Sequence, residues 1–380
     1  MGVNAAPLRI GALAVDPPVV LAPMAGVTNA PFRTLCRRYG GGLFVSEMVM
    51  ARAYLEGSAR THKMVEFTGD ETPRSVQLYG VDPATIGAAV ERLVGDDGVD
   101  HVDLNFGCPA AKVTRKGGGA ALPVRRSLLG AIVGAAVRSA APAHVPVTVK
   151  FRVGVDASLR TSVDTGRIAE GEGAAAVALH ARTAEQHYAG PADWSAIAEL
   201  KAAVRTIPVL GNGDIFEGGD ALAMMAATGC DGVVVGRGCL GRPWLFADLA
   251  AAFAGCSPSP CGCPPLGEVA AVVREHARLL ADWFGEPKGV RELRKHTGWY
   301  LKGYPVGAEV RRGLASVSSL SELDGLLAGL DPVLAAVPGA ARLVRGHTSG
   351  PRRVVLPAGW LDDRNDPTPP AGAELAVSGG

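Results

Sequence analysis

The sequence predicts an α/β fold, a (β/α)8 TIM barrel followed by a smaller C-terminal helical domain. Short β-branched runs alternate with longer Ala/Leu-rich segments over the first 250 residues, and polar residues follow each run. The later segments show helical spacing and lack a strand pattern. An open doubly wound sheet is the alternative, and it should carry Gly-x-Gly-x-x-Gly after its first strand. Residues 22–29 read Ala-Pro-Met-Ala-Gly-Val-Thr-Asn, which favours the barrel.

The runs predict eight parallel strands in chain order. Helix-compatible segments lie between them, such as 82–94 with Pro83 in its first turn and 193–204 with Asp193 as a cap. The predicted strands are 19–22, 43–46, 75–78, 101–105, 147–151, 176–180, 209–211 and 232–235.

Polar side chains follow the strands where each strand ends. In a barrel these ends meet at one mouth, where barrel enzymes hold their active sites. A structural protein has no reason to ring one face with polar groups, so the pattern predicts an enzyme. The candidates are Pro23 and Met24, Ser46 and Glu47, Gln77, Asn105 and Cys108, Lys150 and Arg152, His180 and Arg182, Asn212 and Asp214, and Gly236 and Arg237.

Two glycine motifs follow the last two predicted strands, Gly-Asn-Gly-Asp at 211–214 and Gly-Arg-Gly at 236–238. Glycines let backbone N–H groups approach an anion, and barrels commonly bind phosphate after strands seven and eight. We therefore predict a phosphate site here in preference to ordinary tight turns.

Cys108 stands just past the fourth predicted strand and is followed by a basic glycine run, Lys-Gly-Gly-Gly at 116–119. A cysteine in this place is either a small buried hydrophobe or a reactive thiol beside a movable loop. Its position at the predicted mouth favours the reactive thiol.

Composition limits the remaining possibilities. The chain has 380 residues and a net charge of +1, so any nucleic-acid partner must be argued from local patches. Seven cysteines without a compact framework, no signal-peptide pattern and no 18-residue apolar span predict a cytoplasmic protein with reduced thiols. Cys256, Cys261 and Cys263 lack the spacing of a zinc site, so we expect no metal.

Three regions are predicted: a catalytic barrel at 1–255, a helical domain at 268–337 and an extended, disordered tail at 338–380. The helical region carries a local basic patch with interleaved aromatic residues, which suits RNA better than a merely solvated helix face. The patch consists of Lys288, Arg291, Arg294, Lys295, His296, Lys302, Arg311 and Arg312, with Trp299, Tyr300 and Tyr304.

Seven ordered segments resemble the tRNA-dihydrouridine synthases. The resemblance spans roughly residues 15–330 and is much more specific than any single motif. The matching segments are 21–33, 76–80, 103–109, 147–152, 179–183, 211–215 and 236–238.

The resemblance implies an FMN-dependent barrel that reduces specific tRNA uridines to 5,6-dihydrouridine, with NADPH as the reductant of the flavin. Hydride would pass from FMN N5 to uracil C6, and Cys108 would protonate C5 as general acid. We expect a monomer that binds tRNA. The implied flavin contacts are Pro23, Met24, Gln77, Lys150, His180, Asn212, Gly213, Asp214, Gly236 and Arg237. The expected substrate contacts are Asn105, Arg152, Arg182 and Tyr188 at the uracil, and Arg291, Arg294 and Lys295 at the tRNA.

One segment departs from the family pattern. Residues 116–123 read Lys-Gly-Gly-Gly-Ala-Ala-Leu-Pro, where a serine among the glycines and a following Leu-Arg-Asp-Pro are expected. Pro123 therefore puts the geometry of the loop in question. Three other functions remain open at this point: an FMN barrel acting on a free pyrimidine, a Schiff-base lyase using Lys150, and a non-catalytic tRNA-binding protein with the same fold.

Overall fold

The computed structural model describes residues 7–256, 263–346 and 350–373. Its strands are β1 (Leu8–Ile10), β2 (Leu13–Val15), β3 (Val19–Leu21), β4 (Leu43–Met50), β5 (Ser75–Tyr79), β6 (His101–Phe106), β7 (Val147–Arg152), β8 (Ala176–His180), β9 (Val209–Asn212) and β10 (Gly232–Val235). Strands β3 to β10 close a barrel in sequence order, with β10 beside β3. Every pair in it is parallel. The predicted TIM barrel is confirmed, and its strands are the eight predicted runs.

A short antiparallel hairpin of β1 and β2 precedes the barrel, and the sequence analysis did not predict it. Leu8, Ile10 and Val15 are buried in one cluster with Val20 and Val234. The hairpin thus contributes apolar side chains to the core formed by the strands. Strands of three residues show too little alternation to be predicted from their sequence.

Helices alternate with the barrel strands. Asp193 caps α8 as predicted, since its carboxylate accepts the N–H of Ser195, and Pro83 lies in the first turn of α4, where Asp82 accepts the N–H of Thr85. The helices are α1 (Ala30–Arg37), α2 (Ala51–Leu55), α3 (Ala59–Met64), α4 (Pro83–Gly95), α5 (Ala111–Thr114), α6 (Arg126–Ala140), α7 (Ser162–Gly171), α8 (Trp194–Ala203), α9 (Gly218–Thr228) and α10 (Leu245–Phe253).

In the residues that the structure describes, four α-helices follow the barrel: α11 (Leu266–Phe284), α12 (Glu286–Tyr300), α13 (Ala308–Ser316) and α14 (Leu320–Ala328). They share an apolar core that also includes Leu35 of α1 and Trp244 before α10. The predicted helical region therefore packs directly on the barrel. No helix in the described part of the chain is long and apolar enough to cross a membrane.

The end of the chain differs from the disordered tail that its composition predicts. Residues 350–373 contain no helix or strand, yet Trp360 is only 3% exposed and packs in the barrel's core cluster. Arg125 and Asp366 form an ion pair of 2.6 Å across this contact. A composition without periodicity cannot show that one aromatic side chain and one ion pair fix an extended segment to an existing surface.

Candidate functional site

A cavity of about 1020 Å³ lies at the carboxyl ends of the barrel strands and extends to helix α12. It brings together the predicted site residues except Ser46, Glu47, Arg291 and Arg294. Among the lining residues are Pro23, Met24, Gln77, Asn105, Cys108, Lys150, Arg152, His180, Arg182, Tyr188, Asn212, Gly213, Asp214, Gly236, Arg237 and Lys295.

A chain of hydrogen bonds crosses the barrel interior and ends at the cavity. Thr148 Oγ1 donates to one oxygen of Asp103 at 2.6 Å, and Gln77 Nε2 donates to the other at 2.6 Å. Asn105 Nδ2 then donates to Gln77 Oε1 at 2.7 Å. Burial raises the pKa of Asp103 to about 6. The amides of Gln77 and Asn105 are thereby held in one orientation, and the sequence analysis missed the part played by Asp103.

Lys150 lies beside this chain of bonds and reaches the opposite wall. Its Nζ donates to Asn212 Oδ1 at 3.1 Å, and Asn212 Nδ2 donates to the carbonyl of Val234 at 2.7 Å. Burial, followed by repulsion from Arg152, lowers the pKa of Lys150 to about 8. The ammonium group is therefore mostly protonated at neutral pH and is placed inside the cavity.

Glycines form one wall at the ends of β9 and β10. Gly213 has φ +141°, and a Cβ there would lie 2.6 Å from the Cβ of Ala192. Only glycine fits this close approach without strain. Next to it stand Gly236 and Arg237, so the predicted glycine motifs do face the cavity.

Asp214, which is partly exposed, and the buried Arg182 form an ion pair in this wall. Arg182 Nη2 donates to both carboxylate oxygens, at 2.7 and 2.8 Å, and Asp214 Oδ2 also accepts the N–H of Ala192 at 2.7 Å. Asp214 therefore fixes Arg182 and the backbone at Ala192. The flavin contact of Asp214 stays a prediction, and a carboxylate so engaged suits an anionic group poorly.

Arg152 is 4% exposed and holds two loops together. Its Nε donates to the carbonyl of Gly107 at 2.9 Å, while Nη1 donates to those of Thr183 and His187 at 2.9 and 2.8 Å. Burial lowers its pKa to about 10, which leaves it charged at neutral pH. Through these three carbonyl contacts, Arg152 holds the loops after β6 and β8 in place.

Tyr188 stacks among cations at the cavity wall. The guanidinium of Arg237 lies 4.5 Å from its ring centroid and that of Arg152 lies 5.6 Å away. The ring of His180 lies 6.2 Å away, and burial holds the pKa of His180 well below its usual range. His180 is thus neutral and available for hydrogen bonding.

Cys108 is half-buried and faces the cavity. Asn105 Oδ1 accepts the backbone N–H of Cys108 at 2.9 Å and that of Gly107 at 3.1 Å. The carbonyl of Cys108 accepts the N–H of Ala120 at 3.0 Å. Burial raises the pKa of the thiol. A protonated thiol is therefore held at a fixed place beside Asn105.

The cavity is strongly cationic. Asp214 is the one acidic side chain among the described residues that line it, and it is paired. Arg182 Nη1 is buried without a hydrogen-bond partner, as an incoming anion would require. These features fit the phosphate and the polar ring edge of a flavin mononucleotide. The lining cations are Lys150, Arg152, Arg182, Arg237, Lys295, Arg352 and Arg353.

Helix α12 only partly matches its prediction. Lys295 lines the cavity, but Arg291 is exposed outside it and Arg294 Nε donates to the carbonyl of Val317 at 2.8 Å. Arg294 therefore fixes the end of α13. Tyr300 and Tyr304, 1% and 2% exposed, belong to the helical core, so the expectation that they contact RNA is wrong. His296 is also fully buried, and burial holds its pKa well below its usual range.

Arg352 and Arg353 line the cavity and were missed. Their one sequence signal is the dipeptide itself, which follows Pro351 in a segment whose composition predicts disorder. The predicted absence of a metal site concerned Cys256, Cys261 and Cys263. Cys261 lies outside the described residues, and within them no group of three or more His, Cys, Asp or Glu side chains could hold a metal ion.

The fold and the cavity define a class, a (β/α)8-barrel enzyme with an anion-binding cavity at the carboxyl ends of its strands. The sequence model of the family described as "Dihydrouridine synthase (Dus)" matches residues 20–336, and the chain belongs to this family. It is thus an enzyme, a flavin-dependent oxidoreductase.

Individual relatives agree with this assignment. The chain is 58% identical over 380 residues to a "Probable tRNA-dihydrouridine synthase" of Mycobacterium tuberculosis H37Rv, covering 98% of this chain and 97% of the relative. It is 40% identical over 337 residues to "tRNA-dihydrouridine synthase B" of Xanthomonas campestris pv. campestris, covering 87% and 99%. The solved structure of 6-hydroxypseudooxynicotine amine oxidase from Pseudomonas geniculata N1 covers 86% of this chain and 66% of that chain, with a TM-score of 0.51 and 14% identity. That likeness shows the fold alone.

Proposed function

We propose that the chain reduces uridines of tRNA to 5,6-dihydrouridine, with FMN as cofactor and NADPH as reductant. The observation that carries this proposal is the meeting of Cys108 and Asn105 with a cationic glycine-lined wall in one cavity. Cys108 and Asn105 suit a pyrimidine, and the cationic wall suits the phosphate of a flavin. The family and the names of the relatives supply the substrate class.

FMN is held in this proposal by residues at the carboxyl ends of β5, β9 and β10. Gly213, Gly236 and Arg237 bind the phosphate, since backbone N–H groups and a guanidinium suit its charge and shape. Gln77, already oriented by Asp103, bonds the polar edge of the ring. When bound, FMN supplies the hydride that adds to C6 of uracil.

Lys150 places a positive charge beside the cofactor. A charge there stabilises the anionic edge of a reduced flavin, and its lowered pKa of about 8 leaves it available in the cationic form at neutral pH. The contact with Asn212 fixes the direction of the ammonium group.

Cys108 supplies the proton that uracil C5 needs. Because burial raises its pKa, the thiol keeps its proton at neutral pH and acts as an acid without a separate partner. Asn105 orients the same turn through two backbone N–H groups and turns its own amide to Gln77. The Asn105 side chain thus links the position of Cys108 to that of Gln77, which faces the cofactor in this proposal.

The substrate uridine must leave the tRNA stack to reach the cavity, at a cost of a few kcal/mol. Tyr188 offers a ring for stacking, and Lys295 with Trp299 on α12 lines the outer part of the cavity. In this proposal the chain acts as a cytoplasmic monomer, and no metal takes part.

The test begins with the cofactor. The purified chain reconstituted with FMN should be yellow, lose its visible absorbance when NADPH is added without oxygen, and form dihydrouridine in tRNA that lacks it. Mapping dihydrouridine in cells without the gene would identify the position. A protein that cannot bind FMN, or a reduced protein that turns over free uracil as well as tRNA, would contradict the proposal.

A further inference from the structure

The extended segment 350–373, here named the strap, is tied to the barrel at several points. The N–H of Arg352 donates to the carbonyl of Glu185 at 2.8 Å, next to the loop after β8. Further along, the carbonyl of Arg364 accepts the N–H of Arg126 at 2.7 Å, at the start of α6. The strap therefore runs from the β8 side of the mouth to the segment that follows Cys108. The family match ends at residue 336, so the strap lies beyond it.

Trp360 anchors the strap. Its Nε1–H donates to the carbonyl of Ala121 at 2.8 Å, and the Arg125 guanidinium lies 4.7 Å from its ring. Arg125 also donates to the carbonyls of Trp360 and Gly359, each at 2.9 Å. A Cβ on Gly117 would lie 2.7 Å from the Trp360 ring, so the glycine run admits the indole. The loop beside Cys108 and the strap are thus packed as one unit.

Two arginines of the strap stand at the cavity before this anchor. Arg352 and Arg353 are exposed, line the cavity, and have no ion pair or side-chain hydrogen bond within the part of the chain that the structure describes. Cations without partners at the edge of a cavity repel one another and gain most from an anion that neutralises both. Because the backbone of Arg352 is already bonded to the barrel, such binding has mainly the two side chains to order.

Helix α12 supplies one further cation to the same cavity. Lys295 and Trp299 line it there, while Arg152, Arg182 and Arg237 lie in its wall. An RNA that inserts one base into this cavity must bring the phosphates on both sides of that base to its edge. Lys295 pairs with Glu292 and stands close to Gly26, which follows β3. Arg352 is instead bonded to Glu185 after β8, so the strap arginines stand at a different part of the edge.

We propose that Arg352 and Arg353 bind tRNA phosphates adjacent to the reduced uridine, and that the strap is a tRNA-binding element. The proposal rests on the proposed function. Such contacts position the RNA without reading its sequence. Each neutralised phosphate contributes about 0.7 to 0.9 to the slope of log affinity against log salt.

The experiment compares the full-length flavoprotein with its Arg352→Ala/Arg353→Ala variant. Binding of tRNA lacking dihydrouridine is measured at several salt concentrations. We expect binding about 10- to 100-fold weaker and a salt slope reduced by about 1.4 to 1.8, since two phosphate contacts are lost. Flavin content and thermal midpoint report on folding. An Arg352→Lys/Arg353→Lys variant keeps both charges and should recover most of the affinity.

The matched control removes two arginines elsewhere. Arg167 on α7 and Arg205 after α8 are exposed and do not line the cavity, so Arg167→Ala/Arg205→Ala should bind tRNA almost as the unaltered protein does. Unchanged affinity and slope in the strap variant, with normal turnover of tRNA by the unaltered protein, would overturn the strap proposal alone. A loss equal to that of the control variant would also overturn it. Failure of the unaltered protein to modify tRNA would overturn the proposed function first.

Discussion

Replacement of Cys108 by alanine separates the two halves of the proposed reaction. The thiol is half-buried, and its backbone is held by Asn105 and Ala120 through bonds that do not involve the side chain. Alanine keeps all of these bonds. We therefore expect the variant to fold, to bind FMN and to be reduced by NADPH at the normal rate.

The size of the effect follows from the protonation state. A thiol of ordinary pKa, about 8.5, is only about 3% ionised at pH 7, and burial raises the pKa of Cys108 further. Nearly every molecule thus carries the active acid, and the substitution removes its whole contribution. Positioned acids contribute about 10²- to 10⁴-fold, equivalent to about 3 to 5 kcal/mol in the barrier.

The assay is a rapid-mixing experiment without oxygen. The protein is first reduced with NADPH, and the return of flavin absorbance is followed after tRNA is added. Cys256→Ala is the control, since Cys256 is exposed and does not line the cavity. Equal slowing of both half-reactions by Cys108→Ala, or a change under tenfold in the second, would refute the acid role.

Three further predictions concern the wall, the strap and the thiol. Gly213→Ala should weaken FMN binding about tenfold or more, because φ +141° and the 2.6 Å approach to Ala192 exclude a Cβ. Gly219→Ala is the control and should bind FMN normally, since Gly219 has open space around it. Equal flavin affinities of the two variants, measured by titration, would contradict the prediction. Trp360→Ala removes a buried indole at a cost of up to about 3 to 5 kcal/mol, so hydrogen exchange should accelerate in residues 116–125 and 350–373. The control is Leu361→Ala, which should leave exchange slow because Leu361 is 54% exposed. Unchanged protection in Trp360→Ala would show that Trp360 does not anchor the strap. Oxidation of the reduced protein by tRNA should fall in two stages as pH rises. The first fall comes near pH 8, where Lys150, with a pKa of about 8, loses its charge, and the second comes at higher pH, where the Cys108 thiol, whose pKa burial raises, loses its proton; a rate that stays constant through both ranges would contradict these roles.

The barrel was predictable because its signals are local. Strands buried on both faces appear as short apolar runs, and the polar residue after each run must lie at the mouth once the strands are parallel. Lys150, Asn212 and Cys108 were placed correctly by that argument. The same argument cannot show which carbonyls an arginine will find, so the contacts of Arg152 with Gly107, Thr183 and His187 appear only in the fold.

The remainder depends on tertiary contacts. Tyr300 and Arg294 stand on the same helix as Lys295, and a run of basic and aromatic residues does not say which of them face inward. The strap shows the same limit, since its anchor Trp360 meets Ala121 from 239 positions away in the chain. Only the fold brings such distant residues together, and only then do Arg352 and Arg353 reach the cavity.

The central claim is that one cavity couples a reduced flavin to a tRNA uridine. Its most direct test reduces the FMN-loaded protein without oxygen, adds tRNA lacking dihydrouridine, and measures both flavin oxidation and dihydrouridine in a single turnover. We predict one dihydrouridine for each flavin oxidised, at equal rates. Flavin that stays reduced in the presence of tRNA, or that is oxidised without formation of dihydrouridine, would contradict the claim.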